Sequence, residues 1–416
     1  MKKIIALLFL ALTTFSPDTE AKPQKAATLM QPRVEPTFWW ARMHNPSLQL
    51  MVHGSDIGSS RVIIQHPGVI VKSVTSVENP NYLFIDLDLS KAAPGKFDIL
   101  FQKAEKTFAT SVYELKEREP GSALRKGFNS SDVMYLVMPD RFANGDPGND
   151  AVEGMKEKPD RTDLKGRQGG DIKGLRQHLD YIADMGFTAI WLNPLLENDM
   201  PATSYHGYAT TDFYKVDPRY GTNEEYSAFA KEARGKGIKL IMDMILNHCG
   251  LEHWWMKDMP MADWINQYPD YQITNHVKTL NQDPYASTYD KKQFVEGWFV
   301  PTMPDLNQRN PFLATYLIQN SIWWIEFAHL AGIRMDTYPY PDKEMMADWN
   351  CRIREEYPHF NIVGEEWHMN QAILAYWQKG KTNVDGYRGN LRSLMDFPLQ
   401  NAVSTALRDP GTGELY

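Results

Sequence analysis

The sequence predicts a multi-domain chain: an all-β sandwich, then a parallel α/β barrel of the TIM-type (β/α)8 kind in which about six strands are present. Three observations carry this. Residues 34–116 show period-two alternation between turn signals and no helical period. From residue 132 onward, short apolar strands alternate with stretches of helical period. The segments 331–339 (AGIRMDTYP) and 362–368 (IVGEEWH) each read as a buried strand ending on an acid, Asp336 and Glu365. Acids at the ends of successive parallel strands converge over one mouth of a barrel, where that fold keeps its chemistry. Arg334 lies two residues before Asp336, so on a strand both side chains point the same way. A paired Asp and Glu beside a cation suits retaining glycoside hydrolysis. The alternative is that both acids merely cap the helices that follow their strands.

Residues 1–21 carry Lys2 and Lys3, an apolar run over 4–12, then small and polar residues. That is the pattern of a secretory signal, with Thr19-Glu20-Ala21 as the cleavage site. The run is too short to span a bilayer, and no later segment has the needed length. The expected mature protein is exported, periplasmic in a cell with two membranes, and free of the membrane. Its 52 acidic against 44 basic residues, net −8, argue against a nucleic-acid partner. The 12 Trp residues suit either surfaces that stack on sugars or a large core. Cys249 and Cys351 are the only cysteines, which excludes a disulfide framework, and no zinc-ligand spacing occurs.

The sandwich is predicted over 30–118. Leu48, Leu50 and Val52 alternate, as do Leu83, Ile85, Leu87 and Leu89, and then Phe97, Ile99 and Phe101, each set marking a half-buried strand. Trp39 and Trp40 offer a binding surface or, for at least one of them, core packing. A charged stretch with Pro120, Gly121 and Gly127 makes 119–131 a linker. The barrel follows over 132–416, with strands at 133–137, 188–193, 238–243, 332–336, 361–364 and 391–397. One helix carries Ile172, Leu175, Leu179 and Ile182 on a single face, and another opens on the capping box Thr222/Glu225. Asn310-Pro311 starts a helix that is apolar nearly all round, hence buried. An excursion over 250–303, after the third barrel strand, is rich in rings and predicts an inserted loop domain. Its rings could line a saccharide groove; for most of them the reading is a small core of the insert's own.

Four motifs in order carry a resemblance. DMILNH (243–248), GIRMD (332–336), GEEWH (364–368) and MPDLN (303–307) resemble the signatures of the α-amylase family of glycoside hydrolases. Within it the chain resembles the neopullulanase and cyclomaltodextrinase branch, especially exported members that degrade maltodextrins. The resemblance covers nearly everything from residue 34 on, and implies a retaining hydrolase of α-glucan oligosaccharides. Asp336 would be the nucleophile, kept ionised by Arg334. Glu365 would be the general acid and then base, with the adjacent Glu366 facing away. His248 would donate to a hydroxyl of the sugar being cleaved, Tyr208 in SYHGYATTD would stack beneath it with His206 nearby, and Asp243 would support Arg334. The loop PDRFANGDPGND (139–150) with GGD (169–171) would bind structural Ca2+ through Asn144, Asp146, Asn149, Asp150, the Gly169 carbonyl and Asp171. The alternative for that loop is a polar turn.

Two departures bear on specificity and completeness. After Asp336 the chain reads TYPYPDK, without the Lys-His or Asn-Glu pair many relatives place on the acceptor side, so the choice of α-1,4 or α-1,6 bonds stays open. The family's Asn-His-Asp on a seventh strand is absent from these residues, and Asp396, on the sixth, is a poor substitute. The expectation is a front part of a longer enzyme, with little activity as a 416-residue piece. The rival readings are an α-glucan transglycosylase and a non-catalytic glucan-binding protein. A homodimer through the sandwich rests on the resemblance alone.

Overall fold

The computed structural model describes residues 29–408, so the predicted signal segment 1–21 lies outside the described residues. Eight strands come first: β1 (Arg33–Glu35), β2 (Trp39–Trp40), β3 (Ser47–His53), β4 (Arg61–Ile64), β5 (Ile70–Ser76), β6 (Tyr82–Asp88), β7 (Gly95–Lys103) and β8 (Lys106–Lys116). They form two sheets, ordered β1-β3-β6-β5 and β2-β8-β7-β4, the predicted sandwich. Leu50 faces Ile85 across the antiparallel β3–β6 pair, and the alternating leucines, valine and phenylalanines of the sequence reading are buried. One strand departs from it. Tyr82, Leu83, Phe84 and Ile85 are all buried, so β6 is covered on both faces. The second face packs on the barrel side, where the Phe84 ring lies 4.4 Å from Phe312 and 6.2 Å from Trp264. Trp39 and Trp40 are both core residues rather than a binding surface. The predicted linker is pinned. Arg118 pairs with Glu326 and Glu356, and Arg125 with Glu326, all four side chains being largely buried.

The second domain runs β9 (Met134–Val137), α1 (Pro139–Phe142), α2 (Ile172–Gln177), α3 (Leu179–Asp184) and β10 (Ala189–Leu192). A short hairpin of β11 (Leu196–Glu197) and β12 (Asp212–Val216) leads to α4 (Asn223–Gly235) and β13 (Lys239–Met244). Then come α5 (Trp254–Lys257), α6 (Thr288–Glu296), α7 (Pro311–Phe327), β14 (Gly332–Met335), α8 (Lys343–Glu356), β15 (Asn361–Gly364), α9 (Gln371–Ala375), β16 (Ser393–Leu394) and α10 (Phe397–Arg408). Strands β9, β10, β13, β14, β15 and β16 make one parallel sheet in chain order, the wall of a (β/α) barrel. Local signals explain its helices. Thr222 and Glu225 form the reciprocal capping box of α4, and Asn310 accepts from the Phe312 and Leu313 amides with Pro311 at the first turn of α7.

Three expectations need correcting. The single helix carrying Ile172 to Ile182 is broken into α2 and α3 at His178, whose Nδ1 bonds the Gly174 carbonyl, although its four apolar residues are all buried. The strand expected over 391–397 shrinks to Ser393–Leu394, because Asp396 accepts from the Leu399 amide and caps α10 instead. The insert's rings do not make a core of their own. Trp255, Trp264 and Trp298 join the main core, while Leu280 and Phe294 cluster separately with Tyr340, with Ala286, Val295 and Phe299 packed against them. The cause is that 254–264 folds back on the sandwich, where Asp258 accepts from Asn79 and Asn81. Among the described residues no helix is long and apolar enough to cross a membrane.

Candidate active site

Three strand ends build the site. Register sets Asp243 of β13 opposite Arg334 of β14. The backbone ladder continues one residue past β14 and β15: the Asp336 amide bonds the Met244 carbonyl at 2.9 Å, and the Glu365 amide bonds the Met335 carbonyl at 3.0 Å. Both acids are thereby held on ordered backbone at the carboxyl end of the sheet. Gly364 is required just before Glu365, since a Cβ there would meet Leu391 at 2.6 Å and the Tyr338 ring at 3.0 Å.

One guanidinium organises the carboxyl groups. Arg334 Nη1 donates to Asp336 Oδ1 at 2.6 Å and to Asp243 Oδ1 at 2.8 Å. Its Nη2 lies 2.7 Å from Glu365 Oε2, which also accepts from the Thr337 amide. Asp243 turns its other oxygen to Trp191 Nε1 at 2.9 Å and the Tyr208 hydroxyl at 3.1 Å. Burial pushes Asp336 and Glu365 above the usual carboxylate range, and Asp243 up to about 7, with Arg334 pulling each of them down by less. Arg334 acts on Asp336 in the direction the sequence reading gave it, favouring the ionised form, and burial opposes it. Three acids share one cation in a dry site, so the cluster titrates as a unit.

The sequence-predicted residues sort clearly. Asp243, Arg334, Asp336, Glu365 and Tyr208 come together. His248 lines the same cavity, with Nε2 3.1 Å from the Tyr208 carbonyl and Nδ1 3.4 Å from the Asn247 amide. His206 accepts from the Tyr208 amide through Nδ1 at 2.9 Å and stacks on the Tyr208 ring, which makes it a support for that tyrosine. Burial lowers both histidines to about 4, so both are neutral near pH 7. Glu366 is fully buried on the far side, accepting from Trp377 Nε1 at 2.8 Å.

The acids open into a cavity of about 340 Å³ lined by Tyr208, Phe299, Tyr340, Trp367 and Lys278 among others. Sequence reasoning missed most of this lining. Trp367 and Tyr340 lie two and four residues beyond the acids and could have been found by that proximity. Lys278 and Phe299 come from the insert and carry no motif. Trp191 was read only as a strand residue.

The predicted cation loop is a second constellation. Asn144 Nδ2 lies 2.7 Å from Asp150 Oδ1, and both crowd Gly169, where a Cβ would stand 2.4 Å from that oxygen. Gly169 has φ +89°, which a side chain would resist. Asn149 Oδ1, next in the chain to Asp150, is buried without a partner. Asp146 faces Lys173 at 3.5 Å. Asp171 spends both oxygens on the amides of Gly145, Asp146 and Gly174, capping α2. Among the described residues no group of three or more His, Cys, Asp or Glu is disposed to hold a metal. A cation here would therefore rest on a mixed set of carboxylate, amide and carbonyl oxygens, the donor chemistry calcium takes.

Known proteins bear on this geometry. Residues 136–406 match the family model described as alpha amylase, catalytic domain, and residues 33–119 match cyclomaltodextrinase, N-terminal. The chain is 31% identical over 274 residues to a cyclomaltodextrinase of Geobacillus thermopakistaniensis, covering 65% of this chain and 42% of that protein. It is 30% identical to neopullulanase 2 of Thermoactinomyces vulgaris, over 65% of this chain and 48% of that one. The chain thus spans less than half the length of these relatives. Among solved structures, the alpha-amylase of Geobacillus thermoleovorans complexed with acarbose matches with TM-score 0.52 at 33% identity, covering 65% of this chain and 53% of that one. An Anoxybacillus alpha-amylase matches with TM-score 0.55 at 31% identity, covering 67% and 54%. The ordered catalytic sheet, the Arg334-centred acids and these matches agree: the chain belongs to the alpha-amylase family.

Proposed function

We propose that this chain carries the catalytic groups of a retaining α-glucan hydrolase acting on cyclodextrins, pullulan or linear maltooligosaccharides. One observation carries the reading: at adjacent strand ends a single guanidinium, Arg334, reaches Asp336 at 2.6 Å and Glu365 at 2.7 Å. Two carboxyl groups held on one guanidinium stand close together, as the retaining mechanism requires. Asp336 attacks the anomeric carbon while Glu365 gives its proton to the departing glycosidic oxygen. The glycosidic C–O bond breaks and a glycosyl ester on Asp336 forms. Glu365, now ionised, takes a proton from water; the water oxygen displaces Asp336 and the sugar leaves. Burial of Glu365 helps it hold the proton it must donate. Tyr208 presents a ring to the sugar, and Asp243, Trp191 and His206 fix Arg334 and Tyr208 in position.

Structural calcium at Asn144, Asn149, Asp150 and Gly169 belongs to the same proposal, supported by the orphaned Asn149 oxygen and the cradle over Gly169. Export to the periplasm is supported by the pattern of residues 1–21, and a homodimer through the sandwich by the family resemblance. The test is turnover of maltooligosaccharides and cyclodextrins. Asp336→Asn should fall to background and Glu365→Gln by about a thousandfold; either variant retaining wild-type turnover overturns the assignment.

A further inference from the structure

The insert sends one charged side chain into the catalytic cavity. Lys278, in a single turn of 3₁₀ helix (Lys278–Leu280), lines the same space as Asp336 and Glu365. Its Nζ donates to the Trp367 carbonyl at 2.7 Å and lies 6.0 Å from the Trp367 ring. An ammonium has three donors, so two remain beyond that bond. The segment after the nucleophile, Thr337 to Pro341, supplies no cation there.

Its side of the cavity follows from the chemistry. A general acid stands beside the oxygen that departs, so groups clustered with Glu365 face the leaving-group sugar rather than the sugar bonded to Asp336. Lys278 and Trp367 are those groups. We propose that Lys278 is a specificity-determining residue of the leaving-group side, donating hydrogen bonds to hydroxyls of the departing or incoming sugar while its charge tunes the acid Glu365. The proposal rests on the hydrolase reading above.

The electrostatic half has a definite sign. Glu365 is faced by Arg334 of β14, by Asp336 just past it, and by Lys278 and Tyr340 from the cavity wall, while Glu366, next in the chain, turns away. Lys278 is one of the two cations in that set and favours the ionised acid, as Arg334 does. Removing it strengthens the hold of Glu365 on its proton, so the alkaline limb of kcat/KM moves to higher pH. A role limited to holding the Trp367 loop would not move that limb.

The experiment compares wild type, Lys278→Met and Lys278→Arg on maltotriose and on an aryl α-glucoside, whose leaving group has no hydroxyls for an ammonium. Lys278→Met should lose at least tenfold more kcat/KM on maltotriose than on the aryl glucoside, a charged hydrogen bond being worth about that factor. Its alkaline limb should rise, and Lys278→Arg should restore the limb and part of the discrimination. Equal losses on both substrates with an unmoved limb would overturn the inference and leave Lys278 a structural tether. A full-length wild-type protein inert on both substrates, with Asp336→Asn no different from it, overturns the hydrolase reading, and this inference falls with it.

Discussion

Arg334 Nη1 donates to Asp336 Oδ1 across 2.6 Å in a site where both residues are buried. The same guanidinium serves Asp243 and Glu365, so it is the one element common to all three acids. A planar fork can reach three carboxylates at once; a lysine ammonium cannot reproduce its geometry. Arg334→Lys is therefore expected to lower kcat at least a hundredfold. Arg334→Met should also destabilise the fold by about 3 to 5 kcal/mol, because it strands buried carboxyl groups. Steady-state kinetics and denaturant melts check the pair. Full activity in Arg334→Lys would mean that the three-way contact is not required.

Glu366 offers a test by pH. It is fully buried, its Oε1 has no partner, and burial raises it to about 7. A carboxyl raised in the folded state binds its proton more tightly there than in the unfolded chain. Stability therefore falls as pH rises from the unfolded value near 4.5 through about 7. Glu366→Gln imitates the protonated form and can still accept from Trp377. It should gain about 2 kcal/mol over wild type at pH 8 and almost nothing at pH 4. Parallel melting-temperature curves for the two proteins across that range would contradict the burial argument.

The cation loop predicts a response to chelation. Calcium bound only by the folded protein raises its stability by about 3 kcal/mol at a hundredfold excess over Kd. EDTA should lower Tm, and added calcium should restore it. Asp150→Ala should melt at the chelated value and ignore both additions. An unchanged melt of the wild type with EDTA would count against the site.

The legible parts of the sequence were those where local chemistry and tertiary environment agree. Strands β14 and β15 read correctly because each is a short apolar run ending on an acid, and capping at Thr222 and Asn310 was written in the side chains themselves. The misreadings came from contacts across the chain. Strand β6 looked half-buried because nothing local announces that Phe84 meets Phe312 and Trp264. The contact of His248 with the Tyr208 carbonyl, 40 residues away in the chain, likewise had no local signal. Asp396 caps a helix where the sequence reading continued a strand, the side-chain cap winning locally. Lys278 enters from an insert with weak periodicity, and only the fold brings it to Glu365.

The measurement that bears most directly on the central claim is a trapped intermediate. A fluorinated glucosyl fluoride forms the glycosyl ester quickly and releases it slowly, so digestion and mass spectrometry can locate the modified residue. The account predicts one added fluoroglucosyl group on the peptide containing Asp336, lost in Asp336→Asn and on long incubation with an acceptor sugar. A label on Glu365 or Asp243, or turnover of the natural glucan with inversion and no label, would contradict it.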